Sequence, residues 1–443
     1  MRQPRPVERL GPGDVVQLVT DVGPVPMNVG ALLRLGPGAS TTADVVVALS
    51  ARAASVPRLG QVVATPPPGL GRPYWVDAPA GAPPVGVRRL AGVDGLLDAA
   101  VDAVTTPLPW DRPPWRALVL EVDGRPAGVV VALHHVLADG VAGLGLLAAL
   151  ADPAGPPDAR AATPPPGRRG DPPPTRRDLL LDVLAAHRAR LRSLARAPAR
   201  LRSARAELLG GTGRAPACSL NARTGPRRRA ATVDVDLAAV RRAARAAGAT
   251  VNDALLVATT GALGRLLADR GEAVPALVVS VPVAARRDDA SGAMGNLVGV
   301  MPVRVDLAGT PVARLAAVAR DTRARRGAAR GASTALVAPL FRALAAVGLF
   351  RPFVERQRLV STFLTNVAGP AVPLRLAGRT VTGVTPLTVT AGNVGVAFAA
   401  LSYAGRLGVT VVTDPDVVPE LARLADHLDA ELGALTGAAS AVR

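Results

Sequence analysis

A chain of 443 residues with 49% hydrophobic content is long enough for two cores and too apolar for overall disorder. All 52 basic residues are Arg and Ile is absent, as in coding sequence biased toward G and C. The net charge of +18 is therefore partly a codon effect, and 2% aromatic content with no zinc-finger, RNP or helix-turn-helix pattern argues against nucleic acid. The single Cys218 excludes an internal disulfide and a Cys-rich metal site, while residues 1–12 lack a signal-peptide apolar core and no uncharged run reaches about 18 residues, so a cytoplasmic place is expected.

Along the chain, residues 25–35 read as a strand, 42–54 as a helix and 93–104 as an amphipathic helical stretch. Residues 118–122 and 128–133 are β-branched, apolar and separated by Asp123-Gly124, which predicts a hairpin whose second strand is buried on both faces. An apolar helix, 141–150, follows at once, with Gly143 and Gly145 expected to allow close helix packing. Residues 152–177 are dense in Pro, Arg and Gly and read as a linker or crossover. Leucines recurring among arginines over 178–209 predict a basic helical hairpin broken at Pro198. The α/β rhythm then resumes. Strands are expected at 229–235, 276–283, 297–305, 359–366, 394–403 and 406–412, and helices at 237–247, 252–267, 310–330, 334–350 and 416–435. Thr250 or Asn252 would cap the helix at 252–267. The boundaries are 1–155 for a first α/β domain, 156–215 for the linker with its basic helices, and 216–443 for a second α/β domain.

The most informative segment is His134-His135-Val136-Leu137-Ala138-Asp139-Gly140, at the junction of the buried strand and the apolar helix. An imidazole, a nearby carboxylate and a tight turn suit acyl transfer. Consecutive residues at a strand end face opposite sides, so the two histidines do not share one cavity or one metal: one is catalytic, the other structural. Asp139 lies beside a helix N-terminus. Other motifs are missing. No G-x-S-x-G elbow is present, a Walker lysine cannot exist in a lysine-free chain, and the glycines at 143 and 145 fall where the histidine motif already occupies the strand-to-helix turn. His187 reads as solvated, His427 as surface or half-buried, Trp110 and Trp115 as packing anchors, and Cys218 as an unremarkable lone thiol.

Only six asparagines survive in this composition, Asn28, Asn221, Asn252, Asn296, Asn366 and Asn393, and four of them fall in motifs spread along the chain. Those motifs are Pro26-Met27-Asn28-Val29-Gly30, Pro113-Pro114-Trp115, the His134–Gly140 segment, Val251-Asn252-Asp253-Ala254, Val281-Pro282-Val283-Ala284-Ala285-Arg286, Gly295-Asn296, Thr365-Asn366-Val367-Ala368-Gly369-Pro370 and Ser402-Tyr403-Ala404-Gly405. As an ordered set they resemble the bacterial wax ester synthase/acyl-CoA:diacylglycerol acyltransferase family, nearly end to end. The resemblance implies two chloramphenicol-acetyltransferase-like α/β domains joined by the Pro/Arg-rich crossover, with the active site at their interface. It implies His135 as general base, His134 as a packing or hydrogen-bonding residue, and Asp139 as a structural partner of Arg286, with Gly140 closing the loop. Asn252, Asp253, Asn296 and Asn366 become substrate-binding or oxyanion candidates, although Asn252 suits a helix start equally and Asn366 suits a turn better. No metal or resident cofactor is implied; acyl-CoA would be a co-substrate and a lipophilic alcohol the acceptor, giving triacylglycerol or wax ester. Two alternatives stand beside this: a condensation-type enzyme using a carrier-protein thioester or acylating a secondary-metabolite hydroxyl, and a non-catalytic basic lipid- or nucleic-acid-binding protein. The basic segment 176–205 suits peripheral contact with anionic membranes or lipid droplets, set against a solvated crossover.

Overall fold

The computed structural model describes residues 7–79, 81–153, 172–193, 213–284, 298–326, 334–388, 390–437 and 441–442. The first half runs α1 (Pro12–Thr20), β1 (Asn28–Leu35), α2 (Thr42–Ser55), β2 (Gln61–Ala64), β3 (Tyr74–Asp77), β4 (Val85–Leu90), α3 (Leu96–Thr105), β5 (Trp115–Val122), β6 (Arg125–His134) and α4 (Gly140–Leu150). After α5 (Arg176–Ser193) come β7 (Arg229–Asp236), α6 (Leu237–Ala246), α7 (Val251–Asp269), β8 (Ala276–Ala284), β9 (Val298–Asp306), α8 (Pro311–Arg326), α9 (Thr334–Ala346) and α10 (Phe350–Val354). The chain closes with β10 (Thr362–Ala368), β11 (Arg375–Leu376), β12 (Arg379–Leu387), β13 (Val396–Tyr403), β14 (Arg406–Thr413), α11 (Leu421–Thr436) and β15 (Ala441–Val442).

These strands build two large sheets, ordered β11-β12-β1-β6-β5-β4 and β15-β7-β14-β13-β10-β8-β9, with β2 and β3 as a separate hairpin. The fold is the expected two-domain α/β arrangement. Helix α7 is buried over nearly its whole circumference between the second sheet and its neighbouring helices, which explains its lack of a polar face. The predicted turns hold: Asp123 and Gly124, and Ala404 and Gly405, all have positive φ, as a two-residue hairpin loop twisted with its strands requires.

Some elements differ from the sequence reading. The helix expected at 334–350 divides at Gly348, whose φ of 72° ends α9 before α10. The helix expected from 416 begins at Leu421. Helix α5 covers the start of the 178–209 prediction, while Pro198 lies outside the described residues. Added Cβ atoms at Gly143 and Gly145 would meet nothing within 4 Å among the described residues, so these glycines are not there for close packing.

The addition that joins the two halves is β12, a strand that sequence pattern left unassigned. Its Val/Thr alternation ends in Pro386-Leu387 and lacks an apolar run, yet it pairs antiparallel with β1 from Gly30↔Leu387 to Leu35↔Val381 and so completes the first sheet with residues from the second half. Three ties hold it. Its other neighbour β11 returns through Ala377 and Gly378, both at positive φ. The buried Arg379 guanidinium donates to the carbonyls of Gly36 (3.0 Å), Gly38 (2.7 Å) and Ser40 (2.6 Å). The Tyr403 hydroxyl accepts from Leu374 N (2.7 Å) and donates to Val381 O (2.8 Å). Removing that hydroxyl leaves a half-buried donor and a buried acceptor without it, so Tyr403→Phe is expected to lower unfolding free energy by about 1–3 kcal/mol in denaturant titrations.

Candidate active site

Strand β6 delivers the two histidines, and its neighbours determine where each points. Residues Asn28 and His134 are cross-strand partners, the His134 amide donates to Pro114 O (2.9 Å), and the His135 amide donates to Met27 O (2.8 Å). Three segments distant in sequence thus converge on one strand end. His134 is 2% exposed, with its Nδ1 accepting from the Val136 amide at 3.0 Å and the Trp110 ring set edge-on at 4.8 Å between centroids. Because Nδ1 accepts, the neutral ring carries its proton on Nε2. That atom faces Asp21 Oδ2 at 3.4 Å, an electrostatic approach rather than an aligned hydrogen bond. His135, the next residue, is half-buried. The division of the pair into one inward and one more open histidine follows the alternation of a strand.

The turn ends on Asp139, which is the N-cap of α4: its Oδ1 accepts from the amides of Val141 (3.1 Å) and Ala142 (3.0 Å). The carboxylate thereby satisfies two orphan donors at the positive end of the helix. Gly140, the first helical residue, is one of the places where the two halves touch. A Cβ there would stand 2.8 Å from Val367 Cγ2 on β10. Since β10 pairs with β13, and Gly369 N donates to Ser402 Oγ (3.3 Å) while Ala404 N donates to Pro370 O (3.0 Å), the segments 365–370 and 402–405 arrive beside the histidine loop together.

The remaining candidates divide. Asn366 lies within β10 opposite Ala400, so the turn role expected for it does not hold; it is a half-buried strand residue next to Val367. Thr250, not Asn252, caps α7, which leaves Asn252 half-buried in the first helical turn. Asp253 is buried within a capping box, bonded through Oδ2 to Thr250 N (2.8 Å) and Oγ1 (2.6 Å), and its Oδ1 accepts from Thr322 Oγ1 (2.7 Å). That geometry gives it a helix-capping job, which Thr-x-x-Asp spacing could have signalled. Arg286 and Asn296 lie outside the described residues.

Other singled-out side chains keep their ordinary roles. Trp115 is 2% exposed with its Nε1 donating to Leu59 O (2.9 Å), His187 is exposed, and His427 pairs with Asp269 at 2.8 Å on the far helix. Burial pushes the Cys218 thiol up, away from the thiolate a nucleophile needs. Asp21 and Asn28 were missed as site residues. Asn28 donates through Nδ2 to Val104 O (3.0 Å) and Thr106 O (3.1 Å), seating the end of α3 on β1.

The family model for the wax ester synthase/diacylglycerol acyltransferase catalytic domain matches residues 10–255, and that for the WS/DGAT C-terminal domain matches residues 294–436. A probable diacylglycerol O-acyltransferase, tgs1, of Mycobacterium tuberculosis is 31% identical over 428 residues, covering 91% of this chain and 90% of the relative. Among solved structures, the wax ester synthase/diacylglycerol acyltransferase of Marinobacter aquaeolei VT8 superposes with a TM-score of 0.65 at 20% identity over 97% of this chain and 100% of that one. A starter condensation domain of rhizomide synthetase, solved in complex with C8-CoA, gives 0.63 at 16% identity over 98% and 96%. The last two likenesses concern the fold.

The 2.8 Å approach at Gly140 makes a specific demand. Gly140→Ala should force the loop away from β10 and lower the thermal midpoint, since overpacking costs about 1–3 kcal/mol. Adding Val367→Ala, which removes the opposing methyls, should restore most of the loss in the same melting experiment.

Proposed function

The chain belongs to the wax ester synthase/diacylglycerol acyltransferase family, and we propose that it carries a fatty acyl group from acyl-CoA to a lipophilic alcohol, diacylglycerol or a long-chain alcohol, with His135 as general base. The observation that carries this reading is the position of His135, half-buried at the strand end where the β6 turn meets β10, its backbone held by Met27 O. A hydroxyl is essentially un-ionised at neutral pH. His135 removes its proton as the oxygen attacks the thioester carbonyl; the tetrahedral intermediate then expels the CoA thiolate, which takes the proton back from the imidazolium. No covalent acyl-enzyme is needed. The amides of Val136, Leu137, Val141, Ala142 and Gly143 already serve the loop and helix cap, which leaves the backbone amides around Ala138–Gly140 and the Asn252 side chain as oxyanion candidates.

In the same reading, Asp139 is structural through Arg286. Chain order supports it: β8, which ends at Ala284, runs parallel to β10, the strand whose Val367 stands against Gly140. Arg286 follows Ala284 two positions later in sequence. Peripheral contact with anionic lipid is supported by α5, which exposes Leu180, Leu181 and Leu184 together with Arg176, Arg177 and Arg188. Among the described residues, no helix is long and apolar enough to cross a membrane.

Three measurements test the reading. His135→Ala should reduce alcohol-dependent CoA release from acyl-CoA at least about 100-fold while leaving the melting temperature nearly unchanged, because a general base contributes about 10²–10⁴; replacing the donor by an acyl carrier protein thioester distinguishes a condensation-type enzyme, and an acceptor panel identifies the alcohol. Asp139→Asn and Arg286→Gln should each destabilise, with the double variant losing less than the sum by roughly 0.5–3 kcal/mol; additive losses would leave Asp139 as a direct orienter of His135. Flotation with anionic liposomes should show binding that weakens as salt rises, and salt-insensitive or absent binding would reject the electrostatic contact.

A further inference from the structure

We propose that Asp21 is a positioning residue for His135, acting through the backbone of Met27 and the ring of His134. Asp21 is the C-cap of α1, and the first route through it runs along main chain. Its Oδ1 accepts from the Met27 amide at 2.9 Å, and the Met27 carbonyl accepts from the His135 amide at 2.8 Å, so one carboxylate oxygen holds the peptide that holds the base. The second route uses the other oxygen. Asp21 Oδ2 lies 3.4 Å from His134 Nε2, while Nδ1 of that ring is committed to the Val136 amide at 3.0 Å. A ring that accepts at Nδ1 must present N–H at Nε2, and that buried N–H has no hydrogen-bond partner among the described residues; the carboxylate is the anionic group it faces. Asp21 therefore favours the tautomer in which His134 braces the turn that aims His135.

The physical need is clear from the local geometry. His135 is the first residue beyond β6, one step past the last rung of the cross-strand ladder at Asn28↔His134, where its peptide is held by Met27 O. Asp21 braces that strand end through Met27 on one side and His134 on the other. Helix α1, which ends at this carboxylate, packs against α9 of the second half, so the brace is anchored on both domains. A displacement of about 1 Å at a catalytic group can cost about 100-fold in rate, so a residue that never touches substrate can still govern kcat.

This inference rests on His135 being the base. The experiment compares Asp21→Ala, which removes both routes, with Asp21→Asn, which keeps an acceptor for Met27 N but places a neutral amide before His134 Nε2, and with Asp21→Glu, which keeps the charge. Asp21→Ala and Asp21→Asn should each lower kcat about tenfold or more with KM for donor and acceptor changed less than about threefold, and Asp21→Glu should recover part of the rate. In a His135→Ala background, Asp21→Asn should change the residual rate less than about twofold, since there is no base left to aim. A fold-wide defect would instead lower that residual rate again. Should Asp21→Ala fail to fold, Asp21→Asn alone decides. A folded Asp21→Asn enzyme with kcat within twofold of wild type, a rise in KM in place of the fall in kcat, or a full second loss on the His135→Ala background would each overturn the proposal. Full activity of His135→Ala would instead overturn the assignment of the base.

Discussion

The pairing of β1 on both edges is the constraint on which the rest depends. On one side β1 carries β6, whose end presents the histidines; on the other it carries β12, contributed from beyond residue 370. A strand with both edges paired leaves no unsatisfied backbone for slippage, and a one-residue shift would send every side chain to the wrong face. The register that seats His134 opposite Asn28 is therefore coupled to the register that brings the second half of the chain across. Gly30 shows how tightly this is set. A Cβ there would collide with Val131 O and stand 2.9 Å from Val104 Cγ1, so only glycine lets α3 and β6 close on β1 together.

Much of this was legible in sequence, and the legible parts share a cause. The β5–β6 hairpin, the β13–β14 hairpin and the helix after Gly140 depend on neighbours within a few residues: turn residues that tolerate positive φ, apolar runs of strand length, a carboxylate at a helix start. The opposed faces of His134 and His135 follow from the strand period alone. Long-range relations left weaker traces. Strand β12 alternates Val and Thr because it packs in a sheet completed by the other half, and nothing in residues 379–387 announces that partner. Asp21 carries no spacing signal either, since a carboxylate after a helix is ordinary until the chain folds it onto Met27 and His134. Asp253 is the opposite case: motif membership suggested substrate contact, while Thr250 three residues earlier marks the capping box that its side chain makes.

The arginine excess reads differently once partners are visible. Arg379 clamps the carbonyls of Gly36, Gly38 and Ser40; Arg228 donates to Gly225 O and Thr390 O and pairs with the buried Asp414 at 3.2 Å; Arg270 bridges Val417 O and Glu420. Arg314 and Arg265 converge on the buried Glu431, where Gly261 leaves room for the carboxylate. Several forked donors on one planar group can satisfy carbonyls that loops turn inward, which a lysine point charge does less well. Part of the positive charge is thus consumed in holding loops to sheets, and net charge overstates what the surface offers a partner.

With His135 as the proposed base, the two histidines divide one problem. A general base must be exposed enough to meet a hydroxyl and yet fixed to a fraction of an ångström, demands that conflict for a single side chain on a turn. Here the fixed part is His134, 2% exposed between Trp110, the Val136 amide and Asp21, while His135 is left more open. The pair occupies consecutive positions because a strand end turns consecutive side chains to opposite faces. Helix α4 then starts within six residues, with Asp139 closing it, so the turn has almost no slack. Rigidity comes from the inward residue and access from the outward one, and the seam at Gly140 and Val367 locates both against the second half of the chain.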